Sequence, residues 1–276
     1  MKYFDAHSHY TDRKFSRDRH ELFAEMQKEG VAYVVDCFGT QKEKELKIGL
    51  SLAKKYDFFY ICINDFGHYG NTDLRDAEIA SRLIGESIER MKQLRAQNKK
   101  IVAYGECYMD FRRTEKTADA IAEQTAWLQA DFAVAKGAGL PVVIHSGNAD
   151  NESFDVIKNI DMPDYGGGKG MMHCYLGPPN MAMDYIDMGY LISVTGLVTH
   201  RSARGKNLVE VVKKVPLAHM IIETDCPYLT PEPFRDRRND SGLLRLTVEA
   251  IADLKGISEE EVAEVTTNNA KALYRI

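Results

Sequence analysis

A closed (β/α)₈ TIM barrel is the fold this sequence predicts, and three observations predict it. Short apolar or β-branched runs alternate with longer amphipathic stretches along the whole chain. The alternation amounts to eight such pairs, which implies a parallel sheet closed on itself. The turn after the first run is His7-Ser8-His9, without the glycine-rich phosphate turn that an open doubly wound sheet usually carries there.

The first strand is expected near Lys2–Ala6 and the helix after it over Arg17–Lys28. Val31–Cys37 is rich in valine and reads as the second strand, with Lys42–Tyr56 as its helix. Phe58–Ile63 and Ile101–Gly105 are the third and fourth, followed by the amphipathic stretches Asp73–Gln97 and Ala118–Lys136. Val142–His145, Gly170–His173 and Tyr190–Val194 continue the series, with helices at Ser153–Asn159, Asn180–Met188 and Lys206–Lys214. Met220–Glu223 is the eighth strand, and helices over about Leu243–Leu254 and Ser258–Tyr274 close the chain. Ser258-Glu259-Glu260-Glu261 is a capping box, with Ser258 as N-cap. Gly166-Gly167-Gly168 precedes a strand rather than following one, so it reads as a loop and not as a phosphate cradle. No internal repeat or linker interrupts residues 1–276, so one barrel domain is expected.

Composition narrows the class. The chain is 44% hydrophobic and 28% charged, an ordinary globular balance with enough apolar residues for a large core. The net charge of -5 disfavours tight nonspecific binding to long duplex nucleic acid, which requires many phosphates to be neutralised. No apolar run long enough for a membrane span or a secretory signal occurs. The five cysteines, Cys37, Cys62, Cys107, Cys174 and Cys226, form no C-x-x-C pair and read as buried free thiols in a reducing cytoplasm.

Chemistry concentrates at one end of the expected barrel. His7 and His9 are two apart at the end of the first strand, so their imidazoles share a face. Glu106 follows the fourth strand, His145 ends the fifth, His173 ends the sixth, and Asp225 follows the eighth. All are metal-ligating types at the carboxyl ends of strands, the face on which barrels build active sites. Four histidines and two carboxylates can hold two divalent ions if one carboxylate bridges. Zinc suits the imidazoles, and manganese or magnesium suits the carboxylates. Glu223, two residues before Asp225, could pair with a surface cation or orient a ligand imidazole.

On these residues the chain resembles the TatD-like metal-dependent hydrolases, a deoxyribonuclease family related to the amidohydrolases. Asp5-Ala6-His7-Ser8-His9, Gly105-Glu106, Ile144-His145-Ser146 and His173-Cys174-Tyr175 look like that family's successive motifs. Glu223-Thr224-Asp225-Cys226-Pro227-Tyr228-Leu229 is the most specific of them, and Arg238-Asn239 and Asn268-Asn269-Ala270 match as well. The resemblance implies a (β/α)₈ barrel, a divalent metal pair and 3′-to-5′ exonuclease chemistry. It implies that His7, His9 and Asp225 hold one ion, that His145 and His173 hold the other, that Glu106 bridges, and that Asp225 also contacts the attacking water. The sequence departs from the family's usual Gly-x-His-Pro-His at Ile63-Asn64-Asp65-Phe66-Gly67-His68, where His68 alone corresponds. Tyr108 replaces a glycine beside the metals, and Arg238-Asn239-Asp240-Ser241 replaces the usual Arg-Asn-Glu-Pro.

Substrate contacts are expected from His68, His200 and the basic loops that carry Arg112, Arg113, Arg201, Arg204 and Arg238. Those loops favour a phosphodiester, such as a DNA end or a short nucleotide. The competing expectations are an amidohydrolase-like enzyme cleaving a C–N or C–O bond, and a metal-binding protein without turnover.

Overall fold

Residues 1–65 and 72–276 of the computed structural model are described, and among them the chain forms a TIM barrel. His68 lies outside the described residues. Strands β1 (Tyr3–Ser8), β2 (Val31–Gly39), β3 (Phe59–Asn64) and β4 (Ile101–Asp110) lie side by side in chain order. β5 (Val142–Gly147), β6 (Gly170–Met172), β7 (Tyr190–Val194) and β8 (Met220–Ile222) continue the same parallel sheet. Helices α1 (Arg19–Lys28), α2 (Glu43–Lys55), α3 (Ala77–Gln97) and α4 (Ala118–Ala138) alternate with the first strands. α5 (Asp150–Ile157), α6 (Pro179–Asp187), α7 (Ala203–Lys214) and α8 (Leu244–Lys255) alternate with the rest, and α9 (Glu259–Tyr274) ends the chain. No helix among the described residues is long and apolar enough to cross a membrane.

Closure between β8 and β1 uses little ladder. Ser8 and Cys226 form an isolated parallel bridge, the Asp225 N–H donates to the His7 carbonyl at 3.1 Å, and the His9 N–H donates to the Cys226 carbonyl at 2.9 Å. The Asp5 side chain supplies the rest. It accepts from Thr224 N at 2.9 Å, Thr224 Oγ1 at 2.6 Å and Ser241 Oγ at 2.6 Å. The two strand ends that carry His7, His9 and Asp225 are thereby held together by a buried carboxylate.

Alternation divides the strands into two layers. Phe4, Ala6, Val35, Cys37, Val143, Met171, Leu191 and Ile221 fill the barrel interior, and α9 packs Leu273 and Tyr274 beneath them. The Tyr274 hydroxyl donates to the Ala6 carbonyl at 2.9 Å, so the last helix is the floor of the barrel. The alternate residues meet the surrounding helices in the larger outer core.

Of the boundaries that differ from expectation, three have clear local reasons. α3 starts at Ala77 rather than Asp73, because the Asp76 carboxylate accepts from the N–H groups of Glu78 and Ile79 and caps the helix there. α7 starts early, at Ala203, because Ser202 caps it through Gly205 N. β4 continues to Asp110, so Glu106 lies within it rather than after it. The ladder to β5 slips between Gly105 and Cys107, then resumes with Tyr108 opposite His145 and Asp110 opposite Gly147. At Gly105 a Cβ would stand 2.5 Å from the Val143 carbonyl oxygen, so only glycine allows that approach. Ser258 caps α9 as its sequence implies, accepting from Glu261 N at 3.1 Å.

Candidate metal centre

The strand ends bring His7, His9, Glu106, His145, His173 and Asp225 into one cluster. His7 Nε2 and His9 Nε2 are 3.2 Å apart. Asp225 Oδ1 lies 3.2 Å from His9 Nε2 and 3.8 Å from His7 Nε2. Glu106 Oε1 lies 3.4 Å from His7 Nε2 and 3.5 Å from His9 Nε2. The other Glu106 oxygen turns the opposite way, with Oε2 3.6 Å from His145 Nδ1. Glu106, His145 and His173 form a second group whose donor atoms all lie within 4.8 Å of one another. One carboxylate thus offers an oxygen to each group.

The His9 and His173 rings each have a partner behind them. His9 Nδ1 is 2.8 Å from the Cys37 carbonyl oxygen, so it donates there and leaves Nε2 as an acceptor. His173 Nδ1 is 2.7 Å from Glu223 Oε1, which also accepts from Cys174 N at 2.7 Å. Glu223 is fully buried and orients a histidine rather than pairing with a surface cation. The His173 ring stacks on His7 with centroids 3.7 Å apart. Asp36 anchors the loop that carries His9, accepting from Thr11 N at 3.2 Å and from Tyr10 N.

Divalent cations fit these residues. Four ligand atoms about 2.0–2.1 Å from one tetrahedral ion stand about 3.3–3.4 Å apart, close to the separations around His7 and His9. His145 Nδ1 is buried without a hydrogen-bond partner and faces Glu106. Such a concentration of buried acceptors is stable only if something positive lies among them. Without a metal, protons take that place. Burial pulls His9 down, but the Asp225 and Glu106 carboxylates outweigh it and lift the imidazole to about 10. Burial likewise opposes His173, and Glu223 with Asp225 lifts it to about 9. His7 is pushed down, by burial first and by His173 second. Burial raises Glu106 and Asp225, but the surrounding imidazoles overcome it and hold both carboxyls below their usual range.

Among the thiols, Cys37 borders the cluster, with its sulfur within 4.8 Å of the ligand atoms of His7 and Glu106. All five cysteines are free, and Cys37 donates to the Gly105 carbonyl at 3.3 Å with its pKa pushed up by burial. The basic residues expected at substrate divide into two sets. Arg113, Arg201 and Arg204 are exposed, and Arg112 lies against His145, with Nη2 2.7 Å from Nε2. His200 is buried, with Nε2 2.8 Å from the Thr230 carbonyl oxygen. The Arg238 guanidinium is held by Asp18 at 2.5 and 3.0 Å and by the Lys14 carbonyl at 2.7 Å, and it stacks over Phe15. These two side chains brace the loops of the barrel mouth.

Asp5 and Asp36 support the site from positions that carry a signal in the sequence. Each is an acid inside an apolar strand run, where a carboxylate persists only with partners.

Comparison with known proteins agrees with this geometry. The family model described as TatD related DNase matches residues 4–275. The Bacillus subtilis metal-dependent hydrolase YabD is 32% identical over 273 residues, covering 99% of both chains. The human deoxyribonuclease TATDN3 is 28% identical, over 98% of this chain and 93% of its own length. Among solved structures, the Escherichia coli TatD homologue YJJV superposes with a TM-score of 0.81 at 24% identity, covering 99% of this chain and 98% of that one.

Proposed function

The chain belongs to the TatD-related DNase family and is a metal-dependent hydrolase, and on that premise we propose that it hydrolyses phosphodiester bonds at the 3′ end of DNA or of a short nucleotide. The observation that carries this reading is the placement of Glu106, whose Oε1 faces His7 and His9 and whose Oε2 faces His145. His7, His9 and Asp225 would hold one divalent ion, His145 and His173 the other, and Glu106 would bridge. When bound, such a pair polarises a phosphoryl oxygen and makes a water acidic enough to attack at neutral pH.

The chain's own residues supply the remainder. The Cys37 carbonyl and Glu223 fix the His9 and His173 rings, so their Nε2 atoms face the centre without a conformational search. Asp225 is positioned among the imidazoles to accept the proton of the attacking water as the P–O bond to the leaving sugar breaks. The departing alkoxide then recovers that proton. Asp5 keeps the β8 loop in register with β1, so Asp225 and the His7–His9 pair move as one unit.

The test is a turnover assay on protein reconstituted separately with zinc, manganese and magnesium, with occupancy verified by elemental analysis. A linear single-stranded oligonucleotide labelled at its 5′ end is expected to shorten stepwise from the 3′ end, and a circular one to survive. Loaded protein that cleaves neutral esters or lactones but neither oligonucleotides nor simple phosphodiesters would overturn the reading in favour of C–O or C–N bond hydrolysis.

A further inference from the structure

Arg112, unlike the exposed Arg113, Arg201 and Arg204, is built into a seat, and it lies against His145. Its backbone N–H donates to Asp110 Oδ1 at 2.8 Å, and its Nε lies 3.0 and 2.9 Å from the two Asp110 oxygens. Nη2 reaches Asp110 Oδ2 at 2.5 Å and stands 2.7 Å from His145 Nε2. Asp110 Oδ2 lies 3.4 Å from that imidazole nitrogen, so the carboxylate that holds the guanidinium also borders the ring. The seat exists because Gly147 lies opposite Asp110 in the β4–β5 ladder. A Cβ on Gly147 would overlap the Asp110 carboxylate and stand 2.8 Å from Arg112 Nε.

One arm of the guanidinium is left over. Nη1 has no partner among the described residues, and the side chain is 42% exposed beside His145. Arg113 is exposed with no hydrogen bond among the described residues, and Arg238 is committed to Asp18. Arg112 therefore keeps one uncommitted donor arm on a guanidinium fixed beside His145.

This geometry matches an anionic substrate. A phosphodiester carries its charge on two non-bridging oxygens, and guanidinium N–H groups bind such oxygens with directional, charge-assisted hydrogen bonds. A neutral ester, lactone or amide offers no such anion in its ground state. We propose that Arg112, held by Asp110 in the gap at Gly147, binds a non-bridging oxygen of the scissile phosphodiester through Nη1 and so favours charged diesters over neutral esters. The proposal rests on the phosphodiesterase reading and adds to it the residue that selects the substrate class.

The experiment compares wild type, Arg112→Gln, Arg112→Lys and Gly147→Ala as metal-loaded proteins of verified metal content. The substrates are bis(p-nitrophenyl) phosphate and p-nitrophenyl acetate, which share a leaving group and differ in charge. Binding of inorganic phosphate, followed by calorimetry, gives a readout independent of turnover. Arg112→Gln is expected to lower kcat/KM for the diester by about 10–100-fold, the usual worth of one hydrogen bond to a charged group, and to weaken phosphate binding by a similar factor. The acetate reaction should fall far less and metal content should hold. Arg112→Lys should recover part of the loss, and Gly147→Ala, which displaces the seat but keeps the charge, should weaken phosphate binding as well. Equal losses on both substrates, loss of metal from Arg112→Gln, or unchanged phosphate binding would reduce Arg112 to a prop for His145 and overturn the proposal. If wild type turns over the acetate but no diester, the phosphodiesterase reading fails, and the phosphate-binding comparison still decides whether Arg112 receives an anion.

Discussion

At Asp225 the backbone sits in the left-handed region with φ 55°, its N–H on the His7 carbonyl and its carboxylate among three imidazoles. An aspartate held this way can be a ligand, a base, or both, and substitution by asparagine separates the roles. Asparagine keeps the shape and one coordinating oxygen but cannot accept a proton at neutral pH. At saturating metal, Asp225→Asn is expected to lose roughly 10²–10⁴-fold in turnover with little change in substrate binding, because the proton moves only in the transition state. Turnover followed against metal occupancy decides it. Recovery to near wild type as the sites fill would make Asp225 a ligand alone. The residues that form the cluster were legible in the sequence because strand ends and a spacing of two determine where side chains point. Their supports were less so. Nothing in the spacing of Glu223 and His173, fifty residues apart in the chain, announces a contact of 2.7 Å, and the seat of Arg112 depends on a missing side chain at Gly147.

The elements divide the barrel into a face for chemistry and a face for stability. β1, β4, β5, β6 and β8 deliver the cluster at their carboxyl ends, while α9 seals the opposite end with Ala270, Leu273 and Tyr274. The two faces should respond separately to mutation. Leu273→Ala removes a fully buried side chain from the floor and should cost about 2–5 kcal/mol. Tyr274→Phe removes the buried hydroxyl that donates to the Ala6 carbonyl and lies 3.4 Å from Met171 Sδ, and should cost about 1 kcal/mol. Denaturant melts would read both losses, and metal content and kcat at a temperature well below the melt should stay near wild type. A drop in metal content in the folded Tyr274→Phe protein would show that the floor and the mouth are coupled. Among the elements, the alternation of strand and helix was plain in the sequence. The end of β4 was not, because the slip at Gly105 breaks the period of two just where Glu106 enters, and Cys107-Tyr108-Met109 then resume pairing one step out of phase.

For the molecule as a whole, buried charge sets a pH dependence of stability that metal loading opposes. Burial raises Asp5 to about 7, Asp36 to about 6 and Asp131 to about 8, each from an ordinary 3.8. His9 and His173 are raised from 6.5 to about 10 and about 9, their carboxylate partners outweighing burial. A raised group stabilises the fold fully below its unfolded pKa and loses that contribution as pH climbs through the folded value. All five therefore act in one direction, and metal-free protein should lose stability steadily from about pH 4 to about pH 10. Glu106 and Asp225, whose carboxyls are depressed, act in the opposite sense, and their contribution is lost only on the acid side. Metal binding must displace the protons on His9 and His173, so affinity should rise with pH over the range in which the metal-free fold weakens. The difference in Tm between loaded and metal-free protein should accordingly be larger at pH 8.5 than at pH 6. Thermal melts of chelator-treated and reconstituted samples across that range provide the check, with calorimetry in two buffers of different ionisation enthalpy counting the protons released. A metal-free Tm that rises with pH, or metal uptake that releases no protons at pH 7, would show that His9 and His173 do not hold the protons that this cluster requires in the absence of a cation.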